Sequence, residues 1–83
     1  MEKVYEVRAY RWAGGQYEMT EPHIVPGKSR EEARNRLAAH MGEGWKASEA
    51  FEAAFGGNLQ LEQRLEIFEK LGYRIVRAER QAE

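Results

Sequence analysis

From Val4 to Trp12 the chain is rich in β-branched and aromatic residues, and the run closes on Ala13-Gly14-Gly15-Gln16, a hairpin signal. Whether the loop has two residues or four, Trp12 falls opposite Tyr17. Counting back along both arms sets Arg11 against Glu18, Tyr10 against Met19 and Arg8 against Glu21, pairings that are chemically matched. Alternation then assigns Val4, Tyr10, Trp12, Tyr17 and Met19 to one face and Tyr5, Val7, Ala9 and Ile24 to the other. Pro22 has no N–H to give to a ladder, so the second arm is predicted to be an edge there or to bulge.

Beyond Pro26-Gly27 the period changes to that of a helix. Ser29 is placed to accept from the first turn and Glu32 to reach back to the Ser29 N–H, a capping box. Ala33, Leu37 and Met41, with Ala38 beside them, form a narrow apolar stripe suited to lying close on a sheet, Glu32 and Arg36 form an i,i+4 pair, and Gly42 supplies the stop. Ser48 is predicted to cap a short second helix in which Ala50, Phe51, Ala54 and Phe55 share a face, ended by Gly56-Gly57. Asn58 is predicted to cap a third, with Leu61, Leu65, Phe68 and either Ile67 or Leu71 buried. Gly72 falls at its left-handed C′ position and Tyr73 just beyond can contact Phe68. Tyr73 to Ala78 reads as a closing strand and Glu79 to Glu83 as a frayed tail.

The expected fold is therefore α+β, in the order ββαααβ: an N-terminal antiparallel β-hairpin, three helical segments on one face, and a C-terminal strand completing a three-stranded sheet along either edge of the hairpin. A single compact domain, 1–83, is expected, since 83 residues bury only a little over ~60% of the unfolded surface.

Composition removes several chemistries from that picture. There is no cysteine, hence no disulfide or thiolate metal site, and no aspartate, the usual carboxylate of Mg²⁺ and Ca²⁺ loops and of catalytic triads. The two histidines, His23 and His40, have no indicated third ligand. Ser29 and Ser48 are better used as caps than as nucleophiles, and paired glutamates such as Glu31 and Glu32 point apart on a helix. No enzyme activity, cofactor or metal is expected. Net charge is −1, so no global basic field drives nucleic-acid binding. With no apolar run near the ~18 residues of a membrane helix and a charged start at Met1-Glu2-Lys3, the expectation is a soluble, cytoplasmic protein.

Pro26-Gly27-Lys28-Ser29 resembles the end of a phosphate-binding P-loop, but Pro22 stands where the motif needs its first glycine. The run Gly27 to Ala39 resembles the opening of the last helix of double-stranded RNA-binding domains, where basic residues after Gly-x-Ser grip phosphates. Here Glu31 replaces the second lysine of that pattern. The order of strand, hairpin and Glu-Glu-Ala helix is similar to the small ribosomal LX-type module, which is strongly basic where this chain is not. None of these resemblances carries functional residues onto the chain.

Two functions remain. The leading expectation is a small non-enzymatic protein-binding module, an adaptor or inhibitor that occupies a partner's surface through Tyr10, Trp12 and Tyr17 with Arg11 at the rim, since Trp and Tyr are typical interface anchors. In bulk properties the chain is similar to small virus-encoded inhibitors such as the anti-CRISPR proteins of phages. The alternative is a nucleic-acid-binding domain. Lys28 and Arg30 surround a helix N-terminus able to hold an anion, and Arg8 and Arg11, with Arg74, Arg77 and Arg80, form a basic strip if the first and last strands are neighbours. Either a monomer or a homodimer through an exposed strand edge fits the pattern.

Overall fold

Both arms of the N-terminal hairpin are broken in the middle. The computed structural model, which describes residues 2–77, places β1 at Lys3–Val7, β2 at Ala9–Ala13, β3 at Gln16–Met19 and β4 at His23–Gly27. Gly14 and Gly15 form a two-residue turn with φ of 61° and 82°, the paired positive angles of a type I′ hairpin. Trp12 faces Tyr17, Arg11 faces Glu18 and Tyr10 faces Met19, as the pattern predicts.

Deeper in the ribbon Val7 faces His23, so Arg8 and Ala9 oppose three residues, Thr20, Glu21 and Pro22. This extra residue is a bulge, centred where Pro22 lacks an N–H. The Thr20 N–H still donates to the Ala9 carbonyl at 2.8 Å, whereas the Ala9 N–H donates to Thr20 Oγ1 at 3.0 Å. A one-residue shift exchanges the two faces of a strand. Glu6 accordingly faces Ile24 and Val4 faces Pro26, which moves Ile24 to the Val4 side, away from Tyr5 and Val7 where uninterrupted alternation sets it. The expected Arg8 and Glu21 pair is lost for the same reason: Arg8 donates to the Thr20 carbonyl and Glu21 pairs with Arg74 at 2.7 Å.

The expected single three-stranded sheet is replaced by two sheets, ordered β6-β1-β4-β7 and β3-β2-β5. The added strands come from the segment read above as a second helix, which is extended: β5 is Lys46–Ala47 and β6 is Phe51–Glu52. β5 pairs with β2 and β6 with β1. The open flank of the first arm needs partners for its backbone groups, and this demand overrides a short helical spacing of apolar residues. Ser48 does not cap a helix; its N–H donates to the Arg8 carbonyl at 2.8 Å and its Oγ accepts from the Arg8 N–H at 3.2 Å. Ala47 and Ala50 turn inward, leaving Phe51 and Phe55 exposed.

Among the described residues there are two helices, α1 at Arg30–Met41 and α2 at Leu61–Lys70. Ser29 caps α1, accepting from the Glu32 N–H at 3.1 Å. The Glu32 carboxylate reaches one residue further back than expected, to the Lys28 N–H at 2.6 Å. Gly42 ends the helix, its N–H donating to the Ala38 carbonyl. The N-cap of α2 is Gln60, not Asn58, and Gln63 accepts from the Gln60 N–H at 3.1 Å. Its end follows expectation: the Gly72 N–H donates to the Glu69 carbonyl and the Tyr73 N–H to the Phe68 carbonyl, both at 3.0 Å, with Gly72 at φ 101° and the Tyr73 and Phe68 rings edge to face at 5.5 Å. This is a Schellman end with its hydrophobic contact.

The helices cover opposite faces of the four-stranded sheet, not one face as expected. Ala33 and Leu37 of α1 pack with Tyr5, Val7, Ala9 and Val25, while Leu65 and Phe68 of α2 pack with Val4 and Ile24. Each large side chain buried in this way contributes roughly 1.5–3 kcal/mol. Leu71 is exposed. The last strand, β7 at Arg74–Ile75, runs parallel to β4 with His23 beside Arg74 and Ile24 beside Ile75. The expected end of that strand at Ala78, Arg80 and the tail Glu79 to Glu83 lie outside the described residues.

Candidate functional site

The β2–β3 ribbon carries its large apolar side chains on a face that no helix covers, while Ala9 packs on the α1 side. Tyr10, Trp12, Tyr17 and Met19 belong to neither hydrophobic core, and Trp12, Tyr17 and Met19 are 63%, 68% and 58% exposed. Two-residue alternation brings these side chains together, and the tight glycine turn keeps the register that sets Trp12 across from Tyr17. Tyr17 stands edge-on to both neighbours, with ring centroids 4.9 Å from Trp12 and 5.8 Å from Tyr10. Edge-to-face contacts of this kind are a favoured aromatic geometry, so the three rings lie against one another on the ribbon.

Arg11 belongs to the opposite face of the same ribbon. Its Nε donates to Glu18 at 2.7 Å, and its guanidinium lies 4.7 Å from the Trp45 ring centroid. Trp45, from the loop after α1, is half-buried against the α1 core. Its partner, an arginine on a neighbouring strand, has no signal in local sequence pattern. Arg11 is thereby anchored and neutralised, with its side chain still 44% exposed at the rim.

The basic residues do not gather. β7 lies beside β4, and β2 belongs to the other sheet, so Arg8 and Arg11 are not on a strand next to Arg74 and Arg77. Arg74 is paired with Glu21 at 2.7 Å, and Arg77 with Glu62 at 2.7 Å and Glu69 at 3.7 Å. Lys28 and Arg30 are exposed at the start of α1, beyond the far end of β4 from the His23 and Arg74 pair, about 16 Å away at the strand rise.

A groove of about 690 Å³ brings His23 and His40 to one place, with Tyr73, Arg74 and Arg77 along it. His23 is buried, and its Nδ1 lies 2.9 Å from the Glu21 carbonyl oxygen, which makes it the donor there and fixes the tautomer. The charged side chains of the groove already hold one another in ion pairs. Among the described residues no three His or Glu side chains come together as a metal site, and no helix is long and apolar enough to cross a membrane.

Comparisons with protein-family models, with curated proteins and with solved structures found no match to this chain.

Proposed function

We propose that the protein is a binding module that occupies the surface of another protein through the aromatic face of its hairpin tip, acting as an adaptor or inhibitor without chemistry of its own. An inhibitor of the virus-encoded, anti-CRISPR kind is one form of that action. The observation that carries the reading is the exposure of Trp12 and Tyr17 in a domain whose two cores are filled by other side chains. Trp and Tyr dominate the energetics of protein interfaces when a partner desolvates them, and here both are exposed outside the two cores. Tyr10, Trp12, Tyr17 and Met19 form the contact face and Arg11 the rim.

Nucleic-acid binding through Lys28, Arg30, Arg74 and Arg77 is the competing reading, and the ion pairs of Arg74 and Arg77 count against it. Site-specific photo-crosslinking in the cells that express the protein separates the two. A benzophenone side chain at position 17 is expected to form a discrete protein adduct, and one at Arg30 none. Adducts to nucleic acid, or none from position 17 with protein adducts from Arg30, would overturn the assignment.

A further inference from the structure

The outer edge of β3 refines that reading and rests on it. In an antiparallel ladder a residue sends its N–H and C=O to the same side, and the side alternates along the strand. The Thr20 N–H is bonded to the Ala9 carbonyl, so Thr20, Glu18 and Gln16 turn their backbone groups toward β2. Those of Tyr17 and Met19 point to the open side, where among the described residues no strand pairs. The other edge strands, β5, β6 and β7, have two residues each, whereas β3 has four. Natural edges are blunted by lysine, proline or an inward charge. β3 reads Gln16-Tyr17-Glu18-Met19, and its one charge is held by Arg11.

We propose that this edge takes up an extended segment of a partner protein as an added strand, hydrogen-bonded to the backbone of Tyr17 and Met19. Partner residues directly opposite Tyr17 and Met19 then project onto the aromatic face, which calls for apolar or aromatic side chains there. The residue between them lies beside Glu18 on the other face, which calls for lysine, arginine or a neutral group. A second copy of this chain fits poorly. Pairing all the outward groups, Tyr17 with Met19 of the other copy and the reverse, sets Glu18 against its own counterpart at the close position of the ladder, where the two carboxylates repel although each is paired with its own Arg11.

The test is selection of displayed random decapeptides on the full-length protein, followed by affinity measurement of the enriched peptides against wild type, Met19→Ala, Met19→Pro and Trp12→Ala. The expected winners read apolar, basic or neutral, apolar. Met19→Pro removes an N–H that takes no part in the β2–β3 ladder, so it is expected to keep the melting temperature and weaken binding at least ten-fold relative to Met19→Ala, which loses the same contact-face side chain but keeps the N–H. N-methylation of the peptide at alternate residues gives the same reading without altering the protein: one set abolishes binding and the intervening set does not. Loss of binding in Trp12→Ala but not in Met19→Pro or the methylated peptides would leave the docking face standing and overturn strand addition. Peptide affinity unaffected by any of these changes would overturn both. A doubling of solution mass abolished by Met19→Pro would make the occupant a second copy and also overturn the proposal.

Discussion

Arg8 and Ser48 hold each other through two backbone-centred hydrogen bonds, the Arg8 N–H to Ser48 Oγ at 3.2 Å and the Ser48 N–H to the Arg8 carbonyl at 2.8 Å. Arg8 is the residue at which the first arm passes from one sheet to the other, and Ser48 sits between β5 and β6. The contact therefore joins the two sheets at the bulge. Ser48→Ala leaves the Arg8 N–H to water, since the site is exposed, and is expected to cost about 0.5–1.5 kcal/mol. Urea unfolding measures the cost, and faster exchange of the Arg8 amide localises it.

Leu65 is fully buried between α2 and the Val4 and Ile24 side chains. Leu65→Ala is expected to cost ~2–5 kcal/mol, a large share of the ~5–15 kcal/mol of an ordinary domain. Trp12→Ala removes a larger side chain from an exposed face and is expected to cost less than Leu65→Ala, about 0.5–1.5 kcal/mol for the edge-to-face ring pair on top of the small area that Trp12 buries. Thermal unfolding of the two variants side by side should show this inversion of size and cost.

That inversion also marks where the sequence could be read and where it could not. The glycine turn, the pairing of Trp12 with Tyr17, the Ser29 cap and the Gly72 end were legible because each is set by a few adjacent residues. The bulge was half legible: Pro22 announced a defect, but its effect on register depends on Thr20 and Glu21 taking up the extra length. The segment around Phe51 was misleading, because Ala50, Phe51, Ala54 and Phe55 satisfy a helical spacing while the backbone of β1 and β2, distant in sequence, demands an edge strand. Ile24 changes sides with that one inserted residue and so joins Val4 on the face that α2 covers, a tertiary consequence that local pattern does not carry.

Gly14 and Gly15 both hold positive φ, and a side chain added at either would meet nothing within 4 Å. The penalty for substitution there is purely conformational. Gly14→Val is expected to destabilise by roughly 1–2 kcal/mol, whereas Gly14→Asn is expected to be close to neutral because Asn tolerates the left-handed region in type I′ turns. Denaturation midpoints of the pair check the turn type directly.

Arg74 and Arg77 are engaged by Glu21, Glu62 and Glu69, so the described surface offers no continuous strip of unpaired arginines to a phosphate backbone. Fluorescence anisotropy with labelled single-stranded DNA and with double-stranded RNA is expected to show no saturable binding even at low salt. Binding with a steep inverse salt dependence would restore the nucleic-acid reading.

The most direct measurement of the docking account is the dissociation constant of the protein crosslinked from position 17, determined for wild type and Trp12→Ala on samples whose melting temperatures are recorded together. At least ten-fold weaker binding, about 1.4 kcal/mol, with a melting temperature lowered only slightly, is the predicted result. Unchanged affinity, or a melting temperature that collapses with the affinity, would contradict it.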